Sequence, residues 1–469
     1  MATAIPPNQA GFQSAQVVAA TGGSLSGPSW ESVLGVVTDS RAVADGNLFV
    51  ALRGEHFDAR DFAEGAAEAG ATAVVIERGT TLPDHISVIH VEDTLRALGD
   101  LARAHRRAWT GTVIGITGSV GKTTTKDLTA AALEADGRQV LKTTGNLNNR
   151  IGVPMTLLQL DPSFDTAVVE MGTNEPGEIA RLTEIVAPDV GIVTGVTLAH
   201  TEGLGSVEAV ADEKMALLRG LGPDGVAVTC GDDGALKKRV AVVDAHRKLS
   251  YGRAVENDVR ILGWEVDGCH TRASLQVRGQ TAELALRLLG GGAVLNAAGA
   301  LAIAFGLGLS IEKAVRGMAT VEPSEGRLYP RSGRGGRLII DDTYNANPAS
   351  VEVAVSTARA VADQRGVPLV LVLGDMKELG AHSVDAHRKV GELVADSDAF
   401  LFIGCGDAMH EGVDAANARG TDTLWFEDAG ACSQLSDRLP LNAVVLVKGS
   451  RSMEMERAID PMLEEEPPR

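Results

Sequence analysis

The residues with the clearest chemical meaning form one segment, Gly115-Ile116-Thr117-Gly118-Ser119-Val120-Gly121-Lys122-Thr123-Thr124-Thr125. It joins an apolar run to a helix-forming stretch that continues through Leu133. Glycines let a backbone wrap phosphates, amide N–H groups and a helix N-terminus supply positive potential, a lysine reaches the terminal phosphates and a threonine hydroxyl ligates magnesium. The segment is therefore a candidate phosphate-binding loop, with Gly118, Ser119, Val120, Gly121, Lys122, Thr123 and Thr124 around a nucleotide. It departs from the strict G-x-x-x-x-G-K-[ST] spacing, because Ile116 holds the first glycine position and the loop uses Gly115 and Gly118 instead. A GTPase or another NTPase is an alternative on this motif alone, but no guanine-reading N/TKxD stands at a later strand end.

Glu170 closes the next apolar run, Ala167-Val168-Val169. A carboxylate at the end of a strand beside a phosphate loop is placed to hold Mg²⁺ opposite the threonine hydroxyl. Solvation or helix capping would explain the same residue in isolation. His200 and Lys214 have ordinary readings when taken alone: a packed or solvated histidine, and a solvated lysine on an amphipathic helix. No Ser-His-Asp or Cys-His arrangement suggests a protein-bound acyl intermediate. His382 and His387 read as surface residues near a helix start.

Apolar runs must position these groups. Thr112–Thr117, Ala167–Glu170, Val190–Val193 and Val226–Val228 alternate with Ala-rich helical stretches, as βαβ units of a parallel sheet do. A second series, Leu338–Ile340, Leu369–Leu373, Phe400–Ile403 and Val444–Val447, repeats the pattern. Runs that end in Gly or Asp put polar groups at strand C-termini, where α/β crevices form. Between the series, about 255–290 reads as meandering strands, followed by a helix Asn296–Phe305 and a linker Glu322–Gly326. The helical stretch Leu95–Arg107 closes a smaller first unit. At 469 residues the chain is expected to form three α/β domains, 1–108, 109–322 and 323–469.

Composition narrows the function. Hydrophobic residues make up 44% and charged residues 22%, a globular balance. The net charge of −19 speaks against nucleic acid or an anionic membrane as partner, since such binding rests on Lys and Arg. The four cysteines, Cys230, Cys269, Cys405 and Cys432, form no CxxC pair and suggest neither a zinc cluster nor a disulfide framework. No signal peptide or membrane span is read, so a cytoplasmic protein without membrane insertion is expected.

The phosphate loop, Thr144-Gly145-Asn146-Leu147-Asn148-Asn149, Glu170-Met171-Gly172 with Gly177-Glu178-Ile179, and Ala199-His200 followed by Lys214 together resemble the Mur ligase family, in the same order along nearly the whole chain. Asp342-Thr343-Tyr344-Asn345-Ala346-Asn347-Pro348, Leu373-Gly374-Asp375-Met376-Lys377-Glu378-Leu379-Gly380 and Val447-Lys448-Gly449-Ser450-Arg451 are similar to its D-alanyl-D-alanine-adding branch in particular.

The resemblance implies a UDP-sugar-binding N-terminal domain, a central ATP-binding domain and a Rossmann-like C-terminal domain. It implies ATP and two Mg²⁺ ions, with Lys122, Glu170, His200 and Lys214 catalytic. Thr123 and Glu170 would hold one ion; Glu170, His200 and a carbamylated Lys214 would hold the second. Asn296, Arg327 and Asp342 would contact nucleotide. Ser40, Arg41, Arg53, Gly54, Phe57 and Asp58 would cradle the UDP-sugar, and Asn146, Asn149, Thr173, Asn174, Asn345 and Asn347 would bind substrate. The implied substrates are UDP-N-acetylmuramoyl-tripeptide and D-Ala-D-Ala, joined through an acyl phosphate by an enzyme expected to be a monomer. A site split between two domains must be assembled by closure, which also excludes water.

Two departures stand out. The family's Gly-x-His-Asn-x-x-Asn is here Gly290-Gly291-Gly292-Ala293-Val294-Leu295-Asn296, keeping only the last Asn, and Glu175 stands where His is common. The missing pair motivates a rival reading as a catalytically silent nucleotide-binding scaffold. Related ligases are rivals too: folylpolyglutamate synthase, amidating Mur-like subunits and the diamino-acid-adding branch. The last would be expected to carry a D-N-P-R type motif, which Asn347-Pro348-Ala349-Ser350 is not.

Overall fold

The computed structural model describes residues 3–54, 58–197, 205–432 and 439–464. Phe57 and His200 lie outside the described residues. Three sheets follow one another along the chain. The first contains β1 (Ser24–Ser26), β2 (Val36–Val37), β3 (Leu48–Val50), β4 (Ala73–Glu77) and β5 (Val88–Val91) in the order β1-β5-β4-β3-β2, parallel except at β1.

The second is built from β6 (Thr112–Thr117), β7 (Val140–Lys142), β8 (Thr166–Glu170), β9 (Val190–Val193), β10 (Val226–Cys230), β11 (Arg247–Gly252), β12 (Val259–Asp267), β13 (His270–Val277) and β14 (Gln280–Leu286). Its order is β14-β13-β12-β11-β10-β9-β6-β8-β7. Val113, Ile114, Ile116, Val168, Val169 and Ile192 have no exposed surface, as expected of parallel strands covered on both faces. The meander expected at 255–290 is the antiparallel extension β12–β14 of this same sheet. Strand β6 lies between β8 and β9, so successive connections leave it in opposite directions. A crevice opens at the strand C-termini of such a switch point.

The third sheet has β15 (Tyr329–Gly333), β16 (Arg337–Asp342), β17 (Leu369–Gly374), β18 (Leu401–Cys405), β19 (Thr423–Phe426) and β20 (Val444–Lys448) in the order β15-β16-β20-β17-β18-β19, parallel except at β15. These sheets and their helices make a three-domain α/β architecture.

Two local expectations need correction. The helix read at Asn296–Phe305 begins at Gly290 and runs to Gly306. Weak glycine propensity is overridden by packing, since a Cβ at Gly291 would come 2.9 Å from Trp264 and one at Gly292 2.7 Å from Val353. His387 is not at the surface but fully buried. Its Nε2 accepts from the Met376 amide at 3.0 Å and its Nδ1 meets the Ser383 carbonyl at 2.7 Å, while burial lowers its pKa. Cys405 and Cys432, both fully buried, bring their sulfurs to 2.7 Å although 27 positions apart.

The first domain is fastened to the second by Arg106 on the helix Thr94–Ala108. Its guanidinium donates to the carbonyls of Val186 (3.1 Å), Ala187 (3.1 Å) and Trp109 (2.9 Å) and pairs with Asp189 at 3.4 Å. A planar fork serves this fan of acceptors; an ammonium cannot. We expect Arg106→Ala to lose roughly 2–3 kcal/mol, the range for charged hydrogen bonds whose partners are left unpaired. Arg106→Lys should recover little. Urea unfolding followed by tryptophan fluorescence checks this; an unchanged midpoint in Arg106→Ala would refute the clamp.

Candidate active site

The loop after β6 is shaped by two glycines. Gly118 has φ 153°, and a Cβ there would fall 2.0 Å from Thr194 Oγ1. Gly121, at φ 86°, begins the helix Lys122–Ala135, and its Cβ would fall 2.2 Å from Asn296 Oδ1. Any side chain would therefore collide at both places, and the second would also be strained in the left-handed region. Residues just after β9 staple the loop. Thr194 Oγ1 donates to Val120 O at 2.5 Å, the Ser119 amide to Gly195 O at 2.8 Å, and the Thr197 amide to Ser119 Oγ at 3.2 Å. Asn296 lies against the same turn, with Oδ1 3.4 Å from Thr125 Oγ1. Thr123 and Thr124 occupy the first helical turn, half-buried.

Lys122 folds back over its own loop and donates from Nζ to Gly118 O at 2.8 Å. Burial lowers its pKa, Glu170 opposes that shift, and Arg327 adds to it. Arg327 belongs to the third domain, so the two domains bring their cations into one electrostatic neighbourhood.

Glu170 ends β8 and is 2% exposed. Its amide donates to Thr143 Oγ1 at 2.9 Å, and its Oε1 accepts from Asn148 Nδ2 at 2.7 Å. Oε2 is buried with no hydrogen-bond partner. A carboxylate oxygen out of water and unanswered is unfavourable unless a cation meets it. A hard divalent ion with oxygen ligands fits this site, and Thr123 offers a hydroxyl on the adjoining loop.

Lys214, on the helix Val207–Arg219, is 1% exposed rather than solvated. Burial, reinforced by Lys122 and opposed by Glu213, pushes its pKa down to about 7. Glu213 fixes this helix by accepting from the amides of Gly177 and Ile179, both at 2.7 Å. Thr173 donates to Glu175 O at 2.8 Å, and Asn174 donates its amide to Glu178 at 2.7 Å, closing the turn after β8.

Among the other expected residues, Asn146 and Asn149 are both exposed, and Asn149 Oδ1 accepts from the amides of Ile151 (3.1 Å) and Gly152 (2.8 Å) just ahead of a helix. Sequence reasoning missed Asn148, which lies in the same motif and touches Glu170. It also missed Lys126, buried behind the loop with Nζ 2.9 Å from Thr143 O; only its place one turn after Lys122 could have signalled it.

In the third domain Asp342 accepts from Lys448 Nζ at 2.6 Å and from the Leu328 amide at 3.1 Å. Lys448 also donates to Asn345 O at 2.7 Å, and Arg327 stacks 3.9 Å over the Tyr344 ring. Asn345 Oδ1 accepts from the Ala346 amide at 2.9 Å, and Asn347 caps the helix Pro348–Arg365. Beside these, buried Asp375 holds Lys377 at 2.8 Å and the Met409 amide at 2.8 Å.

In the first domain Asp39 caps the Ser40–Ala42 turn and pairs with exposed Arg41 at 2.7 Å. Arg53, next to Gly54, is bridged through its backbone to Asp58. Asp58 caps the next turn, and its pairing with Arg60 holds its carboxyl down at about 2.

Comparison with known proteins agrees with this arrangement. Residues 32–106 match the family described as "Mur ligase family, catalytic domain", 116–304 the "Mur ligase middle domain" and 326–451 the "Mur ligase, glutamate ligase domain". The UDP-N-acetylmuramoyl-tripeptide–D-alanyl-D-alanine ligase of Escherichia coli is 35% identical over 90% of this chain and 92% of its own. That of Bacillus subtilis is 32% identical over 94% and 96%. A crystal structure of MurF from Acinetobacter baumannii superposes with a TM-score of 0.86 at 30% identity, covering 97% of this chain and 99% of that one. MurF from Thermotoga maritima in complex with ADP gives 0.82 at 30% identity, covering 91% and 96%. With three matching domains in order and full-length relatives above 30% identity, the chain belongs to the Mur ligase family.

Proposed function

We propose that this chain is an ATP-dependent ligase that joins D-alanyl-D-alanine to UDP-N-acetylmuramoyl-tripeptide in peptidoglycan precursor synthesis, releasing ADP and phosphate. The observation that carries the reading is the open oxygen of buried Glu170 beside the Lys122 loop, in a chain similar along nine-tenths of its length to ligases of that name. We place the domains at 1–108, 109–322 and 323–469, and the enzyme in the cytoplasm as a monomer. No helix among the described residues is long and apolar enough to cross a membrane.

Amide formation needs the carboxylate oxygen turned into a leaving group. The loop amides and Lys122 hold the terminal phosphates of ATP in line with the tripeptide's terminal carboxylate. A carboxylate oxygen attacks the γ-phosphorus, the bond to ADP breaks and an acyl phosphate forms. The neutral amine of D-Ala-D-Ala then attacks the carbonyl carbon, phosphate leaves and the amine proton is lost. Magnesium, when bound, supplies charge neutralisation among the converging anions. Thr123 and Glu170 would hold one ion, and Glu170, His200 and Lys214 a second.

Lys214 is suited to this role only as a carbamate, which turns a cation into an anionic ligand. Its depressed pKa supports that reading, because a neutral amine adds to CO₂ with loss of a proton whereas an ammonium does not. Arg327 and Asp342 approach the nucleotide from the third domain, with Asn296 behind the loop. Ser40, Arg41, Arg53, Gly54, Phe57 and Asp58 would cradle the UDP-sugar. Asn146, Asn149, Thr173 and Asn174 would line the acceptor's path, and Asn345 and Asn347 the incoming dipeptide's.

Lys122→Ala should reduce phosphate release dependent on both substrates by at least about 10²–10³-fold, the effect of deleting one preorganised electrostatic group. A silent scaffold would show no such release in the parent protein, and near-normal turnover in the variant would remove the loop from the mechanism.

The Lys214 amine is deprotonated above about pH 7 and protonated below it. Activity should therefore fall as pH drops through 7, where the protonated amine no longer adds to CO₂. Intact mass under mild conditions should show a CO₂ adduct that Lys214→Ala lacks. Full activity in CO₂-free buffer with no adduct would exclude the carbamate.

Substrate choice is tested with UDP-muramoyl-tripeptide and D-Ala-D-Ala, D-Ala, a diamino acid or glutamate in separate assays. The dipeptide should be preferred over D-Ala by orders of magnitude, because a site that pairs a second peptide unit leaves polar groups unpaired without it. Preference for any of the other three would overturn the dipeptide assignment.

A further inference from the structure

We propose that Asn148 is a positioning residue that sets the orientation of the Glu170 carboxylate and thereby the affinity of the divalent-cation site. The inference rests on the reading that Glu170 holds the cation.

The geometry divides the carboxylate into two unlike oxygens. Oε1 takes the Asn148 amide at 2.7 Å, and Oε2 is buried and bare. One oxygen is thus tied to the protein and the other left for a ligand from outside. Asn148 can do this because its own backbone is tied down on both sides. Its carbonyl accepts from the Gly172 amide at 2.7 Å, and its amide donates to Asn146 O at 2.8 Å. Gly172 lies just past β8, so the donor is fixed relative to the end of the strand that carries Glu170.

The residue type matters as much as the place. A terminal sp³–sp² torsion is broad and roughly two-fold, so an untethered glutamate carboxylate has no single orientation. An amide N–H fixes it without bringing a charge. A lysine in this position would neutralise Glu170 and compete with the cation, and an aspartate would add a second negative charge that binds a proton in the cation's absence. Lys126 acts one step further back: Nζ holds the carbonyl of Thr143, whose hydroxyl accepts the Glu170 amide. Side chain and backbone of Glu170 are therefore oriented separately. Groups that orient a metal-binding side chain typically change affinity by about 10–100-fold when removed.

The test uses full-length protein with ADP and titrates Mn²⁺, reading free ion by electron paramagnetic resonance. Parent, Glu170→Gln, Asn148→Ala and Asn148→Asp proteins are compared, with metal-free ADP affinity and thermal midpoint as controls. Asn148→Ala should weaken Mn²⁺ binding about 10–100-fold while metal-free ADP affinity stays at the parent value. Asn148→Asp should make Mn²⁺ affinity rise more steeply between pH 6 and 8 than in the parent, because the cation must displace the proton shared by the two carboxylates. This second variant also decides the matter if Asn148→Ala fails to fold. Undiminished Mn²⁺ affinity in Glu170→Gln would overturn the underlying metal reading. A loss in Glu170→Gln without a loss in Asn148→Ala, or a parent-like pH slope in Asn148→Asp, would overturn the role of Asn148 alone.

Discussion

The site depends on a carboxylate taken out of water at the end of β8. Glu170 is 2% exposed, and its bare oxygen must be answered by positive charge. Two cations stand near it, Lys122 on the loop after β6 and Arg327 in the third domain, while Lys214 on the helix after β9 is a buried amine whose pKa is lowered to about 7. Among the described residues Glu170 Oε2 has no hydrogen-bond partner, and Oε1 is met by Asn148. The cations lower one another's proton affinity, as the effects of Lys122 on Lys214 and of Arg327 on Lys122 show. Such a cluster of like charges is poorly self-compensated and favours an anion beside it.

That requirement explains the sheet order. Strand β6 must lie beside β8 for the phosphate loop to face Glu170, and beside β9 for Thr194 and Gly195 to staple the loop. Only a parallel arrangement brings three strand C-termini to one edge. The antiparallel β12–β14 extension stands at the far side of the sheet, where it adds width without entering the crevice. Its Trp264 nonetheless reaches Gly291 at the start of the long helix that carries Asn296 to the loop.

Much of this was legible in the chain. Strands buried on both faces are continuous apolar runs, and the Gly118/Gly121 spacing with Lys122 announces a phosphate loop because few other structures need glycine at those two points. The residues that could not be ranked are those whose role depends on direction. Asn146, Asn148 and Asn149 stand within four positions and have the same chemistry, yet only Asn148 reaches Glu170, while exposed Asn149 turns back to the amides of Ile151 and Gly152. Lys214 and His387 look solvated by type, and only tertiary packing buries them. Cys405 and Cys432 meet because β18 and the segment after β19 converge, which no local spacing encodes.

The third domain contributes by a different logic. Asp342 and Lys448 pair at 2.6 Å, with Lys448 almost wholly buried, and so tie together the ends of β16 and β20. Asn345 and Asn347 are likewise committed in part to their own backbone. The group this edge sends outward is Arg327, held on the Tyr344 face by a cation–π contact instead of a carboxylate. An arginine seated on an aromatic ring keeps its donors for an incoming anion, whereas one paired with an acid would have to break that pair first. The third domain therefore presents to the phosphate loop an arginine seated on an aromatic face, whose charge acts on Lys122 across the domain boundary.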